Sequence, residues 1–138
     1  MKFKNETQLY RLLQKKLRSG NFEFQRIETS TGTGIPDVNI ACKGSGKENW
    51  VELKLIHNLK LNPETKINIG LKKSQASWLA SRHYYTKRAY ILVGTQVGLL
   101  YLINGDESRL FLKPVTYSFL QKHSLEILCS SDFGYLFR

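Results

Sequence analysis

Two carboxylates and one ammonium group stand out by their surroundings. Asp37 follows Pro36 at the head of the run 37–42, and Glu52 and Lys54 sit inside the run 49–56. Both runs are rich in apolar and β-branched residues, which marks them as strands. Alternate residues of a strand share a face, so Glu52 and Lys54 are neighbours on one side while Val51, Leu53 and Leu55 take the other. The connection 43–49 contains Gly44 and Gly46 and reads as a turn, which makes the two runs a hairpin. That hairpin carries Asp37 across to Glu52 and Lys54. Charges gathered on a strand otherwise suited to burial need partners or a metal ion.

The rest of the chain must position these groups. Its 138 residues suit one domain, 1–138, and 41% hydrophobic residues are enough for a core and exclude disorder by composition. Lysine and arginine number 21 against 11 acidic residues, a formal net charge of +10 with pI near 9.7. Such an excess points to a polyanionic partner, nucleic acid foremost, over a basic protein without one. Cys42 and Cys129 have neither zinc-site spacing nor the pattern of a secreted disulfide framework, which suits a reducing cytoplasm. The start lacks a signal-peptide run, no segment is apolar enough to span a bilayer, and there is no repeat or linker, so no membrane partner is expected.

Residues 5–17 read as a helix, with Asn5 as cap, Leu9, Leu12, Leu13 and Leu17 as its apolar stripe and Gly20 as a stop. Glu6 in its first turn suits the helix dipole. Residues 22–28 alternate as a strand. The loop 29–34 is small and glycine-bearing, so its backbone can approach something closely; it reads as a plain connector or as a phosphate cradle, although it matches no P-loop. Residues 57–70 are polar and irregular, interrupted by Pro63. A helix over 71–83 places Leu71, Gln75, Trp78, Leu79 and Arg82 on one face. Strands follow at 88–94 and 96–103 with Thr95 in the turn between them, then a turn at 104–108. The tail reads as a short strand at 110–112, a helix at 117–123 and a weak strand at 125–129. His57, His83 and His123 read as structural or surface residues, and Cys42 as a core filler. The order α-β-β-β-α-β-β plus tail is that of an α/β sheet flanked by helices.

Pro36-Asp37, fourteen residues, then Glu52-Leu53-Lys54 resembles the motif of the PD-(D/E)xK nuclease superfamily. The element order from a helix with an early Glu to a helix bearing Gln is also similar, and the likeness spans 6–94, about two thirds of the chain. Two groups look alike within it: the phage and archaeal-type Holliday-junction resolvases, and the virus-type replication-repair (VRR-NUC) nucleases, whose Gln and Trp match Gln75 and Trp78. The insertion 56–70 departs from the resolvases. The resemblance implies a restriction-endonuclease-like core with a central mixed β-sheet flanked by helices. It also implies a metal-dependent DNA endonuclease acting on branched DNA. The residue types fit that chemistry, because a hard divalent cation held by carboxylates activates water and stabilises charge at phosphorus. Asp37, Glu52 and the Leu53 carbonyl would bind Mg2+, with Mn2+ substituting, and Lys54 would orient the attacking water. The resemblance adds Glu6 as a further metal ligand and Gln75 beside the catalytic lysine. An ordinary cap for Glu6 and a half-buried polar role for Gln75 remain open.

Candidate DNA contacts are Arg26, Thr29, Ser30, Thr31, Thr33, Lys60, Lys66, Lys72 and Lys73, each of which taken singly is a solvated surface residue by default. Cutting both strands of a junction needs two active sites, so a homodimer is expected. Phe111, Phe119, Phe133, Tyr135, Leu136 and Phe137 are candidates for its interface or for core packing within one subunit. A bacterial or phage-infected cytoplasm follows from the resemblance. The alternatives are a site-specific homing or restriction endonuclease on the same core, and a basic DNA-binding domain with an inert hairpin.

Overall fold

In a computed structural model, which describes residues 3–17, 20–27, 33–128 and 132–138, the elements follow one another as α1 (Glu6–Lys16), β1 (Phe22–Arg26), β2 (Val38–Cys42), β3 (Glu48–Ile56), β4 (Lys66–Ile67), α2 (Lys73–Thr86), β5 (Ala89–Thr95), β6 (Leu99–Asn104), β7 (Val115–Thr116), α3 (Tyr117–Lys122) and β8 (Leu125–Leu128). Short 3₁₀ helices cover Gly105–Phe111 and Gly134–Phe137. Asn5 caps α1 as expected, its Oδ1 accepting from the Gln8 N–H at 3.0 Å.

Six strands form one mixed sheet in the order β1-β2-β3-β5-β6-β8. Every neighbouring pair is antiparallel except β3 and β5, which run parallel. A parallel join needs a crossover, and α2 supplies it. β3 and β5 lie at the centre with packed layers on both faces and are buried almost throughout, β5 as a nearly continuous apolar run and β3 with Asn49, Glu52 and Lys54 among its buried residues. One layer sets Leu9, Leu13 and Phe137 on Val51 and Leu53; the other sets Ala76 and Leu79 of α2 on Ile91 and Val93. Trp50 packs with the α2 layer, so the charged residues that alternate with Val51 and Leu53 face α2.

Several expectations need correction. Residues 110–112 are not a strand, and 104–108 is not an isolated turn: both belong to the 3₁₀ helix. At three residues per turn Gly105, Ser108 and Phe111 eclipse, and all three are buried. Ser108 Oγ donates to the Ala76 carbonyl at 2.9 Å, which fixes this helix on α2. Thr95 ends β5 rather than lying in the turn; its Oγ1 accepts from the Leu99 N–H at 3.0 Å and closes the hairpin from inside. The helix expected at 71–83 runs one turn further, to Thr86, and ends on Lys87 in the left-handed conformation. The irregular 57–70 stretch contains β4, which pairs with β7 and buries Ile67. Phe111, Phe133 and Phe137 are core residues, so they are not interface surface; Tyr135 is exposed.

Gly34 shows what the loop before β2 approaches. Its φ is +80°, and a Cβ there would stand 2.3 Å from the Ser74 carbonyl oxygen in the first turn of α2. This contact locks the entry to Asp37 against the helix that bears Gln75. Gly34→Ala is expected to lower stability by at least about 2 kcal/mol, from left-handed strain plus the clash. Gly44→Ala, with nothing within 4 Å of its Cβ position, is the control, with a change within about 0.5 kcal/mol in urea denaturation.

Candidate active site

The β2–β3 register pairs Val38 with Val51, so one step back Asp37 stands opposite Glu52. Asp37 Oδ2 accepts the Leu53 N–H at 2.9 Å. The N–H and C=O of one strand residue point to the same edge, so the Leu53 carbonyl also faces the edge that Asp37 occupies. Glu52 is only 2% exposed. Its Oε2 accepts from Gln75 Nε2 at 3.0 Å and lies 3.5 Å from Lys54 Nζ. Its Oε1 is buried with no hydrogen-bond partner. Gln75 is held in turn by its Oε1, which accepts the Lys72 N–H at 2.9 Å at the start of α2. One amide thus caps the helix and reaches the buried carboxylate.

Lys54 Nζ also donates to the Gly70 carbonyl at 3.2 Å. The loop between β4 and α2 therefore orients the ammonium group. An Asx turn, Gly70 N–H to Asn68 Oδ1 at 2.9 Å, shapes that loop.

Burial pushes the Glu52 carboxyl up to about 8; the Asp37 charge adds to this and Lys54 opposes it. Glu6 is raised too, by partial burial first and then by Asp37, against Lys54, Arg26 and His57. Glu6 is thus within electrostatic reach of the hairpin charges from the first turn of α1. An open cleft of about 470 Å³ is lined by Glu6, Lys54, His57, Asn68 and Gly70. Among the described residues no three His, Cys, Asp or Glu side chains are gathered as a metal cage. Two like-charged carboxylates with an orphaned buried oxygen nonetheless fit a hard cation, and magnesium typically uses one or two protein carboxylates and keeps several waters.

Asp37, Glu52, Lys54 and Gln75 come together around Leu53: the hairpin pattern placed the first three, and the family resemblance added Gln75. Arg26 instead lies on α1: its Nη1 donates to Thr7 Oγ1 at 3.1 Å and its guanidinium stacks 5.3 Å from the Tyr10 ring. Lys72 and Lys73 are exposed at the start of α2, Lys66 is exposed on β4, and Lys60 and Thr33 are exposed in loops. Thr29, Ser30 and Thr31 lie outside the described residues. Two participants escaped the sequence. His57, read there as isolated, lines the cleft with Glu6 and Lys54, its Nδ1 3.3 Å from Gln96 Nε2. The Gly70 carbonyl depends on the loop path; its one signal is a glycine just before a helix, used here at φ +72°.

No family model matches the chain, and no curated protein matches it in sequence. Among solved structures it is similar to Hjc of Archaeoglobus fulgidus, a Holliday junction resolvase from an archaeal hyperthermophile. The TM-score is 0.56 at 14% identity, over 87% of this chain and 94% of that one. The fold is accordingly restriction-endonuclease-like: a central six-stranded mixed sheet flanked by helices. Among the described residues no helix is long and apolar enough to cross a membrane.

The Glu52 shift has a measurable consequence. A carboxyl raised from 4.5 to about 8 in the folded state makes the folded chain bind more protons than the unfolded chain across that window. Stability from this group is therefore present below pH 4.5 and lost as pH rises to about 8, by on the order of a few kcal/mol. Denaturation midpoints of the metal-free protein should fall over this range. Glu52→Gln should flatten the fall, and added Mg2+ should raise the wild-type midpoint more at pH 8 than at pH 5.5.

Proposed function

We propose that the chain is a metal-dependent DNA endonuclease acting on branched DNA. The observation that carries this reading is the buried Glu52 carboxylate, facing Asp37 with one oxygen unpartnered and Lys54 Nζ 3.5 Å from the other. The likeness to a junction resolvase supports the choice of substrate class, and the net charge of +10 suits a polyanion.

Asp37, Glu52 and the Leu53 carbonyl would hold Mg2+ or Mn2+, with Glu6 as an additional carboxylate at the cleft. When bound, the cation supplies an acidified water and neutralises charge on the phosphoryl oxygens. The protein's own groups do the remaining work. Lys54, aimed by Glu52 Oε2 and the Gly70 carbonyl, orients the attacking water and offsets negative charge growing at phosphorus. Gln75 keeps the Glu52 carboxylate turned toward Lys54. Lys60, Lys66, Lys72 and Lys73, on the loop and helix start that follow β3, supply phosphate contacts. Paired incision of a junction requires two such sites, so the working form is a homodimer, with exposed Tyr135 as a candidate contact.

Cleavage of four-way junctions, flaps, single strands and linear duplex, in Mg2+, Mn2+ or EDTA, tests this directly. Metal-dependent cutting of branched substrates is expected, and Asp37→Ala should slow it roughly a thousand-fold, ~4 kcal/mol of barrier. An unchanged rate in that variant would remove the hairpin from catalysis. Equal cutting of random duplex would remove the branched preference, discrete cutting at one long sequence would indicate a homing-type enzyme, and binding without metal-dependent cutting would indicate a DNA-binding domain.

A further inference from the structure

A second concavity lies away from the carboxylates. A groove of about 830 Å³ opens at the turn end of the β2–β3 hairpin, with Trp50 among its lining and Lys43, Lys47, Arg82 and Arg88 around it. It is continuous in sequence pattern with the candidate active site. Trp50, Glu52 and Lys54 share one face of β3. Gln75, Trp78 and Arg82 follow at three- and four-residue steps along α2, which runs antiparallel to β3 as its crossover. At ~1.5 Å per residue, Arg82 lies about 10 Å beyond Gln75. Lys47, five residues along from Glu52, lies about 16 Å away at ~3.3 Å per residue.

Arg82 is exposed, and its guanidinium stacks 4.7 Å from the Trp78 ring and 5.9 Å from the Trp50 ring. These rings meet edge-on at 5.2 Å. Stacking holds the planar group while leaving its N–H edge available, so less rotamer entropy is lost when it binds phosphate. Arg88 is fixed as well, donating to Asn49 Oδ1 at 3.2 Å and to the Arg138 carbonyl at 2.7 Å. Glu23 and Glu48 line the same groove. Even so, among the described residues Lys54 is the only lysine or arginine within ion-pair distance of an aspartate or glutamate. Four cations around one concavity repel one another, and a polyanion relieves that repulsion.

We propose that this groove is a second phosphate-binding site, which holds the backbone of the substrate DNA about five base pairs from the scissile bond. The ~16 Å offset corresponds to about five steps of 3.4 Å along a duplex strand. The identity of the substrate rests on the nuclease reading; the groove's chemistry does not.

Fluorescence anisotropy in EDTA across a salt series separates the two. The probes are a four-way junction with twelve-base-pair arms and one with four-base-pair arms. Lys43→Gln/Lys47→Gln alters only an exposed turn. It should weaken long-arm binding about ten-fold at low salt and reduce the log–log salt slope by about 2, as loss of two phosphate contacts requires. Arg82→Gln should weaken it in the same direction, and the short-arm junction should bind all variants alike. Wild-type affinity and slope in both variants on long arms would overturn the proposal, as would equal losses on short arms. If the wild type cuts no DNA in Mg2+ yet the variants lose long-arm affinity, the groove stands and the nuclease reading falls. If the wild type cuts and the variants bind as it does, the groove falls alone.

Discussion

The architecture turns on one carboxylate placed where a carboxylate is unfavourable. Glu52 lies at the centre of the sheet, 2% exposed, with donors on Oε2 alone and Asp37 across the hairpin. A buried ion that is only half satisfied raises the energy of the fold unless it is protonated or matched by a cation. Its neighbours limit that penalty without removing it. Lys54 supplies an opposite charge, and Gln75 supplies one N–H. Asp37 is fixed by the Leu53 N–H and cannot swing away without losing that bond. The hairpin thus sets Asp37 against a carboxyl whose titration is pushed up to about 8 by burial and the Asp37 charge, a perturbation of the kind that concentrates at functional sites.

What holds the arrangement in place is α2, and α2 sits where the topology puts it. It is the crossover of the single parallel pair in the sheet, so it must lie over β3 and β5. The close approach of Gly34 to Ser74 then ties the segment leading into Asp37 to the same helix. Its first turn contributes Gln75 to the carboxylate, and its later turns contribute Arg82, stacked on Trp78, to the groove at the hairpin turn. One helix therefore supports both the buried charge site and the position of Arg82 beyond it.

The parts of this site that follow local rules were legible in the sequence. Strand alternation alone placed Glu52 and Lys54 on one face, and the glycine-bearing turn placed Asp37 opposite them. Gln75 was legible only through family resemblance, because its contact depends on how the crossover helix lies on β3, which no local pattern states. The Gly70 carbonyl and His57 were missed for the same reason: each reaches the cleft by the path of a loop. Residues 105–111 were misread because a three-residue period matches neither the strand nor the α-helix template. β4 and β7 were missed because two-residue strands carry no periodicity. The aromatic tail was ambiguous, since apolar residues suit a core or an interface equally until Phe133 and Phe137 are seen packed on Leu9 and Leu13.

The distribution of charge ties these features together. The cations that give the chain its +10 are, among the described residues, left out of ion pairs with aspartate or glutamate except at Lys54, while the two hairpin carboxyl groups face each other at the heart of the site. Under the proposed reading the exposed cations would attract a polyanion, while Asp37 and Glu52 set carboxyl groups where its phosphates would arrive. A phosphate approaching Asp37 and Glu52 is repelled unless a cation stands between them. Under the proposed reading, metal and DNA therefore favour each other's binding, and by linkage the coupling acts equally in both directions. Under that reading the exposed lysines and arginines would gather the polyanion, and the half-buried Asp37 with the buried Glu52 would make productive contact conditional on the cation.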